Sequence, residues 1–153
     1  MIKIIIVEDN LQKSSKIEEV VMGAGDNIEI IWLRTFNSAC DFIFSENYPN
    51  DIGLIIADMS LPTYEKDQEE LGGRFRTFAG REIARKMMRN KIITPIVFLT
   101  QYKAFSHKGI SLSVEDLVNE VKSDNIPGYR GFFIYDEMKT DWKQSIVNVI
   151  RNI

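Results

Sequence analysis

Four residues stand where apolar, strand-like runs end and carry groups able to act together. Glu8 and Asp9 follow Lys3–Val7 (KIIIV), Asp58 follows Leu54–Ala57 (LIIA), and Thr100 follows Ile96–Leu99 (IVFL). Tyr135 and Asp136 close a fifth run, Phe132–Tyr135. Three carboxylates in one mouth repel one another and call for a cation. A set of oxygen donors without histidine or cysteine favours a hard ion, Mg2+ or a relative. A carboxylate beside such an ion can attack phosphorus, because the metal neutralises charge on the incoming group, and an aspartyl phosphate results. A hydroxyl across the pocket, that of Thr100, can then bond a phosphoryl oxygen. Taken singly, an acidic pair can merely favour a helix N-terminus and a threonine can merely end a strand. The chemistry is signalled by the conjunction.

The elements that must position these residues alternate along the chain. Lys3–Val7 is a β-branched run suited to a strand buried on both faces. Leu11–Ala24 follows as a helix with Ile17, Val20, Val21 and Ala24 on one stripe. Gly25-Asp26-Asn27 reads as a turn and Ile28–Leu33 as a strand. Asn37 is the expected cap of a helix carrying Ala39, Cys40, Phe42 and Ile43. Leu54–Ala57 and Ile96–Leu99 are further strands, with the helix Gly80–Asn90 between them facing Ile83, Ala84, Met87 and Met88 inward. Ser113 opens a helix to Lys122 with a stripe of Val114, Leu117, Val118 and Val121. After Phe132–Tyr135, Asp141 is the expected cap of a last helix bearing Trp142, Ile146, Val149 and Ile150. Five strands alternating with five helices predict an α/β domain with a parallel sheet and helices on both faces. In such sheets ligands bind beyond the carboxyl ends of the strands, where the acidic residues lie. Residues 1–153 read as one domain with long loops at about 60–79 and 101–112, well beyond the usual two to six residues of a βα connection.

Composition narrows the function classes. A formal net charge of −3 and a pI near 5.3 do not favour bulk attraction to nucleic acid. The basic stretch Arg74, Arg76, Arg81, Arg85, Lys86 and Arg89 reads as a solvated helix face with its lead-in loop. One cysteine, Cys40, excludes an internal disulfide and reads as a small core residue. With no signal-peptide pattern and no apolar run of membrane length, a cytoplasmic, membrane-free protein is the expectation. His107 reads as a loop residue.

The segments KIIIVEDN (3–10), LIIADMSLP (54–62), AGREIARKM (79–87) and TPIVFLTQY (94–102) resemble the response-regulator receiver domain of two-component signalling, over essentially the whole chain. The resemblance implies a flavodoxin-like sheet of order 2-1-3-4-5. It implies Asp58 as phosphoacceptor and Mg2+ held by Glu8, Asp9, Asp58 and the backbone carbonyl of Ser60. It makes Thr100 the switch hydroxyl and Phe132 the switch aromatic, and Pro62 matches the proline that follows the acceptor loop. The implied partners are a histidine kinase or phosphotransfer protein upstream and a protein target on the face of the fourth helix, fifth strand and fifth helix. One departure stands out. Receivers usually carry a lysine after the fifth strand, followed by proline; GFFIYDEM (131–138) places Tyr135 and Asp136 there, and Lys139 is the nearest lysine.

The expectation is thus a phosphoryl-accepting receiver, not an enzyme beyond Mg2+-dependent self-phosphorylation and dephosphorylation. No output domain is evident, so protein contacts or phosphoryl relay would carry the signal. The alternative is a degenerate receiver serving as a phosphorylation-independent interaction module. A phosphatase of the haloacid-dehalogenase kind would want an aspartate where Ser60 stands. A nucleotide or flavin site would want a glycine- or hydroxyl-rich loop where Glu8-Asp9-Asn10 would repel phosphate.

Overall fold

The computed structural model describes residues 1–64, 75–101, 105–107 and 110–153. Five strands form one parallel sheet: β1 (Ile2–Val7), β2 (Ile28–Leu33), β3 (Ile52–Ala57), β4 (Ile96–Gln101) and β5 (Tyr129–Tyr135), in the order β2-β1-β3-β4-β5. The helices are α1 (Leu11–Gly23), α2 (Phe36–Ile43), α3 (Ala79–Arg89), α4 (Val114–Ser123) and α5 (Asp141–Arg151). The doubly wound α/β plan and the 2-1-3-4-5 order are therefore as expected.

The apolar runs are central because both faces are covered. Ile5 and Val7 of β1 point into a core shared with α2, α3 and α4, while Ile4 and Ile6 point into a second core under α1 and α5. All four are fully buried, each stabilising the fold by about 2–3 kcal/mol relative to an exposed side chain. Among the described residues no helix is long and apolar enough to cross a membrane.

Two helix starts differ from expectation. Thr35, not Asn37, caps α2: its hydroxyl accepts from Ser38 N while the Ser38 hydroxyl accepts from Thr35 N. Such a reciprocal box satisfies two otherwise orphaned donors at once, and Asn37 N is used elsewhere, donating to the Thr63 carbonyl. At α5 the cap position is Thr140, and Asp141 is the first helical residue, where its charge complements the dipole.

The long connections contain short antiparallel pairings, Leu61–Pro62 with Phe75–Arg76 and Phe105–His107 with Ile110–Leu112. His107 thus sits in a two-stranded ribbon, where an irregular loop was expected.

The basic stretch is only partly solvated. Arg74 lies outside the described residues. Arg85 and Arg89 are exposed. Arg76 lies over the Phe36 ring and Lys86 over the Phe44 ring. Arg81 ties α3 to α4, donating to Asp124 through Nε (2.7 Å) and Nη2 (2.9 Å) and to Glu120 through Nη1 (2.8 Å). The Arg81 hydrogen bonds hold the Asp124 carboxyl below its usual value. A carboxylate lowered on folding stabilises fully above the unfolded value of 3.8, and the gain is lost as pH falls through the lower folded value. Arg81→Ala is expected to cost about 1 kcal/mol and lower Tm by about 3 °C at neutral pH. Thermal unfolding followed by circular dichroism checks this, and the deficit should shrink in acid below that window.

Candidate functional site: an acidic cluster closed by Lys13

The carboxyl ends of β1, β3 and β4 meet at one mouth. Glu8 and Asp9 leave β1, and Asn10 then caps α1, its side chain accepting from Lys13 N at 2.8 Å. The acidic pair is therefore not the helix cap, although Glu8 Oε2 accepts from Asn10 N at 3.0 Å. Glu8 is 2% exposed and Asp58 6%. One carboxylate oxygen from each of Glu8, Asp9 and Asp58 lies within 4.8 Å of the others. Asp58 Oδ1 accepts from Met59 N at 2.7 Å, which fixes the carboxylate as it leaves β3. Ser60 is buried, its hydroxyl donating to the Thr77 carbonyl at 2.9 Å. Thr100 is fully buried, and its Oγ1 finds no hydrogen-bond partner among the described residues. Such a group costs free energy unless something else satisfies it.

Sequence reasoning missed a further member. Lys13, in the first turn of α1, is 4% exposed. Its Nζ pairs with Glu8 Oε1 at 2.5 Å and donates to Asp58 Oδ2 at 3.1 Å and to the Leu99 carbonyl at 2.8 Å. Burial alone would lower its affinity for a proton, yet Asp58 and Glu8 hold the ammonium above its usual value. Burial first, and then the like charge of Asp58, push the Glu8 carboxyl up to about 8, against the pull of Lys13.

Tyr135 ends β5, at the position where the resemblance would put a lysine. It is buried, its ring centroid 5.6 Å from Lys13 Nζ and 4.9 Å from the Trp142 ring. Lys139 is exposed and lines a groove of about 280 Å3 with Phe132, Phe133, Ile134 and Trp142. Among the described residues it makes no ion pair with the cluster. Phe132 is half-buried against Phe98, ring centroids 5.8 Å apart.

The donor set fits a hard divalent ion. Glu8, Asp9 and Asp58 present close, oxygen-only ligands, and Lys13 already supplies one positive charge among them.

No known family profile matches the chain. Among solved structures it is similar to the Mn2+-bound form of response regulator Rcp1, with a TM-score of 0.66 and 24% identity over 100% of this chain and 94% of the other. It is also similar to the phosphorylated cyanobacterial phytochrome response regulator RcpA, with a TM-score of 0.64 and 22% identity over 98% and 91%. The fold is that of a response-regulator receiver domain. In sequence, the chain is 23% identical to the Detocs response regulatory protein DtcB of Enterobacter cloacae over 99% of both chains. It is 26% identical to the uncharacterised protein y4jR of Sinorhizobium fredii over 95% of both.

Proposed function

We propose that this receiver accepts a phosphoryl group on Asp58 from the phosphohistidine of a kinase or phosphotransfer protein and signals through protein contacts. The observation that carries the reading is the cluster itself: three carboxylates in reach of one ion, with a buried, unsatisfied Thr100 hydroxyl near the carboxyl end of the neighbouring β4. The Mn2+-bound and phosphorylated receivers of like fold support it, as does the regulatory role named for DtcB.

An oxygen of Asp58 would attack phosphorus and form the acyl phosphate as the P–N bond breaks. The bond electrons pass to the departing imidazole, which takes up a proton. A divalent ion such as Mg2+, held by Glu8, Asp9, Asp58 and the Ser60 carbonyl, would neutralise charge between carboxylate and phosphoryl oxygens. The Met59 N–H keeps Asp58 aimed. Thr100 would move to donate its proton to a phosphoryl oxygen, and Phe132 beside Phe98 would repack, biasing the surface of α4, β5 and α5 between two states. The groove between β5 and α5 opens on that surface. Beyond self-phosphorylation and hydrolysis of the product, no turnover is proposed, and the setting is the cytoplasm, with the kinase.

The test is intact-mass spectrometry after incubation with Mg2+ and acetyl phosphate. Wild type should gain one phosphoryl group and Asp58→Asn none. No gain in wild type, or an undiminished gain in Asp58→Asn, overturns the reading.

A further inference from the structure

We propose that Lys13, reaching in from α1, supplies the cation that holds the phosphoryl group on Asp58, in place of a lysine at the end of β5. This deepens the proposed function and rests on it. The geometry is specific. The ammonium has three protons, and its three neighbours are Asp58 Oδ2, Glu8 Oε1 and the Leu99 carbonyl, at 3.1, 2.5 and 2.8 Å. It therefore already touches the carboxylate oxygen next to which a phosphoryl group would form. The Leu99 carbonyl belongs to the residue before Thr100, so the ammonium is bonded to the stretch of β4 that carries the hydroxyl. Tyr135 walls the ammonium on the β5 side, its ring 5.6 Å from Nζ and 4% exposed.

Charge decides that such a cation is needed. With the ion bound and its ligands ionised, Glu8, Asp9 and a dianionic acyl phosphate carry four negative charges; the divalent ion offsets two and Lys13 a third. Without Lys13 two negative charges remain uncompensated in a mouth that is mostly closed to water. The ammonium is a compact charge on a flexible stem, so it can follow the oxygen as the carboxylate becomes an acyl phosphate. When the ion enters, Lys13 gives up part of its hold on Glu8 and Asp58.

The experiment compares wild type, Lys13→Met, Lys13→Arg and the double variant Lys13→Met/Tyr135→Lys, all in Mg2+, with circular dichroism as the fold control. Phosphoryl gain from acetyl phosphate is followed by intact mass. Lys13→Met should slow it roughly ten- to hundred-fold, the value of a charge-assisted hydrogen bond. Lys13→Arg should keep part of the rate, and Tyr135→Lys should restore part of what Lys13→Met loses, which a merely structural role would not produce. Calorimetric Mg2+ titration reads the same placement without phosphoryl transfer: Lys13→Met should bind the ion several-fold more tightly, because the ammonium no longer competes for Glu8 and Asp58. A folded Lys13→Met that gains the group at the wild-type rate, or binds Mg2+ no more tightly, overturns this inference and leaves the proposed function standing. A wild type that gains nothing overturns both.

Discussion

Lys13→Met is expected to destabilise the metal-free protein by about 3 kcal/mol at neutral pH, and saturating Mg2+ should return most of the loss. Removing one partner of a buried ion pair leaves the other charge desolvated and uncompensated, at a cost of about 3–5 kcal/mol. Here two carboxylates are left, Glu8 and Asp58, both nearly inaccessible to water. The lower end of the range applies because Glu8 can take up a proton: burial and Asp58 already raise its carboxyl to about 8 with Lys13 present. The methionine side chain still fills the space of the lysine's aliphatic stem, so little of the effect is cavity formation. Urea unfolding followed by circular dichroism, with and without Mg2+, measures both halves. A cost under about 1 kcal/mol, or no recovery in Mg2+, would show that the ammonium and the divalent ion do not share these carboxylates. Wild type should show a smaller Mg2+ dependence than the variant, since its cluster already carries a tethered cation.

The sequence made the sheet and most of the mouth legible, and the reasons are physical. Runs such as Ile4–Val7 and Leu54–Ala57 are apolar at every position because both faces are covered, and a continuous run bounded by acids is hard to misplace. Glu8, Asp9, Asp58 and Thr100 were found because parallel topology fixes where strand ends point. Lys13 escaped because a lysine on an amphipathic helix reads as solvent-facing. The signal was there: Lys13, Ile17 and Val21 are spaced by four, one above the other, and all three are buried. A cation on the apolar stripe, one turn from two carboxylates, is a paired cation. Asn37 was read as the cap from its residue type, whereas the cap is decided by the reciprocal pair of Thr35 with Ser38. The clamp by Arg81 could not be read, since it depends on how α3 lies against α4.

Lys13 and Tyr135 also explain each other. A long cation from α1 and a lysine from β5 would place two ammonium groups against the one carboxylate of Asp58. With Lys13 seated, the β5 position is free to be apolar, and Tyr135 uses it to pack on Trp142 and join the α1–α5 core. The departure at β5 is then an exchange between two elements that border one mouth.

Gly80→Ala is expected to lower stability by about 2 kcal/mol, although alanine is the better helix former by about 1 kcal/mol. Gly80 is the second residue of α3, and its N–H donates to the Met59 carbonyl at 3.0 Å, so the helix start is hydrogen-bonded directly to the chain leaving Asp58. A Cβ there would stand 2.6 Å from the Asp58 carbonyl oxygen, 3.2 Å from Met59 Cα and 3.1 Å from the Phe98 ring. Two of those atoms are backbone and cannot turn aside as a side chain does; α3 or the turn after Asp58 must move. Gly23, the last residue of α1, is the internal control, because a Cβ there meets nothing within 4 Å. Gly23→Ala should therefore be neutral or stabilise by up to about 1 kcal/mol. Paired thermal unfolding curves should move in opposite directions, and a Gly80→Ala that tracks Gly23→Ala would refute the close packing of α3 on the Asp58 turn. The same shift would carry into the chemistry, since Met59 N aims Asp58 Oδ1 at 2.7 Å. Folded Gly80→Ala should thus also accept a phosphoryl group more slowly than wild type, while Gly23→Ala keeps the wild-type rate.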